Sequence, residues 1–158
     1  MGHDATYHPR DGGAWLKENG LREEKCGSIE IYNAADYLRS NNNWGVGGGL
    51  LHELAHAYHD QHCPGGFESE KIRDAYMNAM DCKLYDAVPV HGVQGKDGPV
   101  KAYACTNVME FFAELSVAFL WREDETTEYN KWFPHNYAQL LRHDPASCEL
   151  LSEAWGCS

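Results

Sequence analysis

This sequence predicts an α+β fold in a single domain spanning residues 1–158, and three observations carry that reading. The chain is long enough to enclose a core of its own and short for two domains. Its hydrophobic content of 43%, with 12% aromatics, is that of a folded protein rather than a disordered one. Short β-forming stretches are interspersed with segments of helical periodicity, which gives a small sheet accompanied by several helices. Two of those helices hold the chemistry: one carries His52-Glu53-x-x-His56, and a later one carries Glu110 and Glu114.

In chain order, residues 1–13 are polar, contain Pro9 and Gly12-Gly13, and read as loop. Ala14 to Glu18 forms a short helix stopped by Asn19-Gly20. Ser28-Ile29-Glu30-Ile31-Tyr32 alternates and reads as a strand, after which Asn33 caps a helix from Ala34 to about Arg39. Asn41-Asn42-Asn43 is loop. Four glycines between Gly45 and Gly49 then precede the motif helix, as a flexible approach or as backbone brought close to a substrate. They lack the Lys-Ser/Thr ending of a phosphate loop.

The motif helix ends at Pro64-Gly65-Gly66, and Glu68 to Asp81 follows as an amphipathic helix with Ile72, Tyr76 and Met80 at four-residue spacing. Leu84–Val90 and Val100–Cys105 read as a hairpin turning at Gly95-Lys96-Asp97-Gly98. Asn107 caps a long helix from Val108 to about Trp121. The segment from Tyr129 to Trp155 supplies one or two short helices interrupted by Pro134 and Pro145. Its aromatic residues Tyr129, Trp132, Phe133, Tyr137 and Trp155 offer a substrate wall, but read rather as caps on the core.

A net charge of −11 excludes the basic footprint of a nucleic-acid-binding domain. No apolar run approaches the ~20 residues that a membrane helix needs. Six cysteines, widely spaced and without a Cys-x-x-Cys pair, fit disulfides in an exported protein better than a zinc knuckle. Cys63 with Cys82 would tie the exit of the motif helix to the next element, and Cys148 with Cys157 would close a short C-terminal loop. Met1-Gly2-His3-Asp4 lacks the apolar segment of a signal peptide, so a secreted protein would have this sequence in mature or trimmed form.

On a helix, residues four apart share a face, so His52 and His56 can hold one Zn²⁺ at roughly 2.0–2.1 Å each. Glu53 is placed to reach a water on that metal as a general base. Apart from Glu53, no charged residue lies between Gly45 and His59, as expected of a helix packed inside a domain. A catalytic zinc site needs a third protein ligand and an open position. His59 shares the face but lies roughly 7.5 Å further along the axis. Glu110 and Glu114, four residues apart among apolar neighbours, offer a carboxylate ligand and a partner for the far nitrogen of a zinc-bound imidazole. Read alone, the same pair also fits a solvent-facing stripe.

Tyr103-Ala104-Cys105-Thr106-Asn107-Val108-Met109-Glu110-Phe111-Phe112-Ala113-Glu114, downstream of His52-Glu53-Leu54-Ala55-His56, resembles the gluzincin zinc metallopeptidases, in particular the catalytic domain of anthrax toxin lethal factor. The likeness covers about residues 45–121 and agrees in type, order and internal spacing. It implies a zincin-like fold and one Zn²⁺ held by His52, His56 and Glu110. It also implies Glu53 as general base, Glu114 behind the ligands, and Tyr103 as the phenol that meets the developing oxyanion. The delivery domains and kinase substrates of the toxin do not carry over to this short chain.

The function so implied is hydrolysis of peptide bonds by a monomer acting on a peptide or protein substrate. The alternative is a secreted binding or toxin-like module that keeps zinc for stability and has lost catalysis.

Overall fold

The computed structural model describes residues 5–39, 44–91 and 98–157. It is a small α+β domain, mostly helical, with one two-stranded antiparallel sheet. In order the elements are β1 (Ala5–Tyr7), α1 (Gly13–Glu18), β2 (Ile29–Ile31), α2 (Ala34–Arg39), α3 (Gly48–His62), α4 (Glu70–Asp81), α5 (Val108–Leu120), α6 (Tyr137–His143) and α7 (Pro145–Trp155). β1 pairs with β2 in the register Ala5↔Ile31, Thr6↔Glu30, Tyr7↔Ile29.

Helix α5 is the axis of the core. Its residues from Phe111 to Phe119 are all buried, so it is enclosed around its circumference, with Glu114 and Ser116 the polar members of that stretch. Each phenylalanine fully removed from water there contributes about 2–3 kcal/mol. Asn107 caps the helix by accepting the Glu110 amide at 2.9 Å, which fixes where the first turn begins and hence where Glu110 points. Helix α3 packs on α5, with Ala55 and Ala113 wholly buried between the elements.

The approach to α3 is held from the far end of the chain. The Gly45 amide donates to Tyr129 O at 2.7 Å, the Tyr129 hydroxyl donates to Val46 O at 2.9 Å, and Trp44 Nε1 donates to Asn130 Oδ1 at 3.1 Å. A Cβ at Gly45 would stand 2.1 Å from the Tyr129 ring, and Gly47 turns the chain into the helix at φ +78°. The close approach expected of these glycines is thus made to an aromatic ring of the same chain.

Helices α1 to α5 follow the sequence reading to within two residues, and α6 and α7 divide at Pro145 as expected. Three expectations need correction. Residues 1–13 are not all loop, because β1 lies within them. The expected hairpin reduces to a single bridge, Val88↔Val100, and Tyr103–Cys105 is a 3-10 turn rather than strand. Val90 bridges to Trp132 instead. The Asn41–Asn43 loop and the hairpin turn up to Asp97 lie outside the described residues.

The third correction concerns sulfur: all six cysteines are free thiols, so no disulfide is present. Cys63 follows α3, and Cys82 follows the 12-residue α4, a rise of about 18 Å. Most of α7 lies between Cys148 and Cys157. Helices so placed work against both bridges, which need Cα atoms within ~7 Å. The cysteine-based argument for export lapses with the pairing.

Candidate metal centre

Spacing places His52 and His56 on one face of α3, and α5 crosses so that Glu110 meets them. His52 Nε2 lies 3.1 Å from His56 Nε2 and 3.1 Å from Glu110 Oε2, and His56 Nε2 lies 3.2 Å from Glu110 Oε2. Among the described residues this is the one group of three whose ligand atoms converge, all within 4.8 Å of one another. Two imidazole nitrogens facing each other and a carboxylate can be reconciled only by a proton or a cation between them. Ligands about 2.05 Å from a tetrahedral Zn²⁺ would stand roughly 3.3 Å apart, close to the separations observed. The donor set fits the ion.

Glu114, one turn further along α5, lies with Oε1 3.0 Å from His52 Nδ1, and both side chains are only 2% exposed. A carboxylate there favours a proton on Nδ1 and leaves the Nε2 lone pair directed at the centre. Without a cation in the cluster, burial pulls the basicity of His52 down, but the bonds from Glu110 and Glu114 more than offset it and push the pKa up to about 10. Burial likewise disfavours the Glu110 carboxylate, yet His52 and His56 hold its pKa well below the ordinary range. Three carboxylates (Glu53, Glu110 and Glu114) surround two imidazoles, a balance that favours a dication.

Tyr103 donates its hydroxyl to Glu110 Oε1 at 3.1 Å. Burial and the neighbouring carboxylates raise its pKa far above ordinary, so the phenol keeps its proton. Glu53 is buried beside the cluster, and its Oε2 accepts the Tyr7 amide at 2.7 Å. The centre opens into a cavity of about 180 Å³, lined besides His52, Glu53, His56 and Glu110 by Thr6, Tyr7, Pro9, Phe67 and Met109. All six residues singled out from sequence are therefore brought to one place.

Other neighbours were not among the site residues expected from the sequence. Tyr7 comes from a strand read as loop. Trp132, expected to cap the core, stacks on Tyr103 at 5.5 Å and 21°, while Trp44 lies 5.8 Å from the His52 ring. Lys131 sits over both indoles, 4.5 Å from Trp132 and 4.9 Å from Trp44. His59 is not part of the centre; it packs between Phe67 and Phe112 at 5.0 and 4.7 Å. A larger groove of about 520 Å³ lies elsewhere, between α4 and α7. The Cys63 thiol on its wall is pushed up to about 11 by burial and so is no ready nucleophile.

Compared with protein-family models, curated proteins and solved structures, the chain finds no match in any of the three.

Proposed function

We propose that the chain is a zinc-dependent endopeptidase of gluzincin type, with Zn²⁺ held by His52, His56 and Glu110. The observation that carries this reading is the convergence of those three donors, with Glu53 beside them at the wall of an open cavity. A Zn²⁺ bound there supplies Lewis acidity for the scissile carbonyl and lowers the pKa of a water toward ~7. The chain's own groups do the rest. Glu53 takes the proton of the attacking water and returns it to the leaving amine. Tyr103, protonated and donating to Glu110 at 3.1 Å, is the phenol that would meet the developing negative charge. Glu114 holds His52 in the tautomer that binds metal.

The test is Glu53→Gln, assayed for zinc content and for cleavage of a denatured protein mixture with and without chelator. The variant should keep its zinc and lose about 10²–10⁴-fold of a chelator-sensitive activity. Full retained activity would overturn the mechanism. Zinc retention with no cleavage even by the wild type would instead leave a metal-stabilised module.

A further inference from the structure

We propose that β1 is a working part of this centre: the backbone N–H of Tyr7 aims the Glu53 carboxylate, and Asp60 anchors the strand that presents it. The functional sense of the inference rests on Glu53 being the base; the contact itself does not. Tyr7 N donates to Glu53 Oε2 at 2.7 Å across 46 residues of sequence. That amide is not needed by the sheet. His8 N donates to Ser28 O and Gly27 N to His8 O, so by strand alternation Thr6 and His8 face β2. Tyr7 therefore presents its N–H on the opposite edge, toward α3.

A carboxylate that uses one oxygen to accept a fixed donor keeps the other in a defined direction, here along the wall of the cavity. A backbone donor suits that task, because it has no rotamers and moves only if the strand moves. The strand is kept from moving two turns further along α3. Asp60 Oδ2 accepts the Tyr7 hydroxyl at 2.7 Å and the Arg10 amide at 3.0 Å, and Oδ1 accepts Arg10 Nε and Nη2, each at 3.2 Å. Gln61 Nε2 adds a bond to the Tyr7 hydroxyl at 3.0 Å. Burial opposes charge on Asp60, but these donors hold its carboxyl below the ordinary range. Seven residues, about 10.5 Å of helix, separate Glu53 from Asp60, so β1 is fixed to α3 at two points along one face. Tyr7 is a positioning residue, acting through Glu53.

The test separates side chain from amide. Tyr7→Ala keeps the N–H and loses the phenol; Tyr7→Pro loses the N–H as well, at an edge where the ladder does not use it. Relative to Tyr7→Ala, Tyr7→Pro should lower kcat about 10- to 100-fold on a peptide substrate, with KM and zinc content unchanged. Equal kcat in the two variants overturns the proposal. A second measurement needs no turnover and covers a Tyr7→Pro chain that fails to fold. In ¹⁵N-labelled full-length protein with added Zn²⁺, Glu53→Ala should speed hydrogen exchange at the Tyr7 amide about tenfold or more, leaving the ladder-side amides of Thr6 and His8 unchanged. Exchange at Tyr7 that is indifferent to Glu53 also overturns it. If the wild type cleaves no peptide, the exchange result still decides the Tyr7–Glu53 link, and the peptidase reading falls alone.

Discussion

His52 and His59 stand seven residues apart on α3, both facing α5 and both almost wholly buried, at 2% and 0% exposure. Their surroundings are opposite. His52 is flanked by Glu110 and Glu114, which raise its basicity to about 10 in the absence of a cation. His59 lies between two phenyl rings, and burial together with the nearby His56 pushes it down to about 4. Position on the helix does not distinguish them, since seven residues is nearly two full turns. What distinguishes them is the stretch of α5 that each one meets: carboxylates opposite His52, Phe112 opposite His59. A histidine's role is written on the element across from it.

The widest separation should appear in metal affinity. Glu110→Ala removes a proposed ligand and should cost at least about 10³-fold in zinc affinity at neutral pH, whereas His59→Ala should leave stoichiometric zinc. The reverse result, read by metal analysis after dialysis, would move the centre to three histidines. Glu114→Gln tests the carboxylate behind His52. It keeps the shape but weakens the hold on Nδ1, and should lower zinc affinity or activity about 10- to 100-fold; an unchanged affinity together with unchanged activity would make Glu114 a mere packing residue.

The apolar side of the comparison shows itself in pH. His59 is depressed in the folded chain relative to its ordinary 6.5, so below pH 6.5 the unfolded chain takes up a proton that the folded chain refuses. Stability is therefore lost as pH falls from 6.5 toward 4, by about 3 kcal/mol from this one group. In His59→Leu that loss disappears. The unfolding free energy of the variant relative to wild type should shift in the variant's favour by this amount between pH 7 and 4, measured by denaturant titration. A difference that does not change with pH would place a partner on the ring. The smallest effect is expected from Tyr103→Phe on zinc content, which should not change, since the hydroxyl that is lost donates to Glu110 Oε1, while the atom that meets the histidines is Oε2.

What could be read from sequence was whatever lies within a few residues along the chain. His52, Glu53 and His56 are fixed by helical periodicity, Glu110 and Glu114 by theirs, and Asn107 announces the start of α5. What could not be read depends on separations of dozens of residues. β1 has only three residues, too few for a period to emerge, and its hold on Glu53 and Asp60 exists only once the chain has folded back on itself. Lys131 and Trp132 reach the centre through a bridge to Val90 that takes the place of the expected hairpin. The cysteines misled because an even count says nothing about distance: all six are free thiols, with α4 between Cys63 and Cys82 and most of α7 between Cys148 and Cys157.

The clamp of Tyr129 on Gly45 has a consequence for how the molecule comes into being. During synthesis α3 leaves the ribosome roughly 70 residues before the ring that fixes its entry, and the bond between Trp44 and Asn130 closes a span of 86 residues. Until that segment emerges, α3 can pack on α5 through Ala55 and Ala113, but its N-terminal entry is not yet held. Contacts so distant in sequence form late and slowly. The entry to α3 is therefore fixed only once residues 129 and 130 have been made, after α5 and its Glu110 are already in the chain.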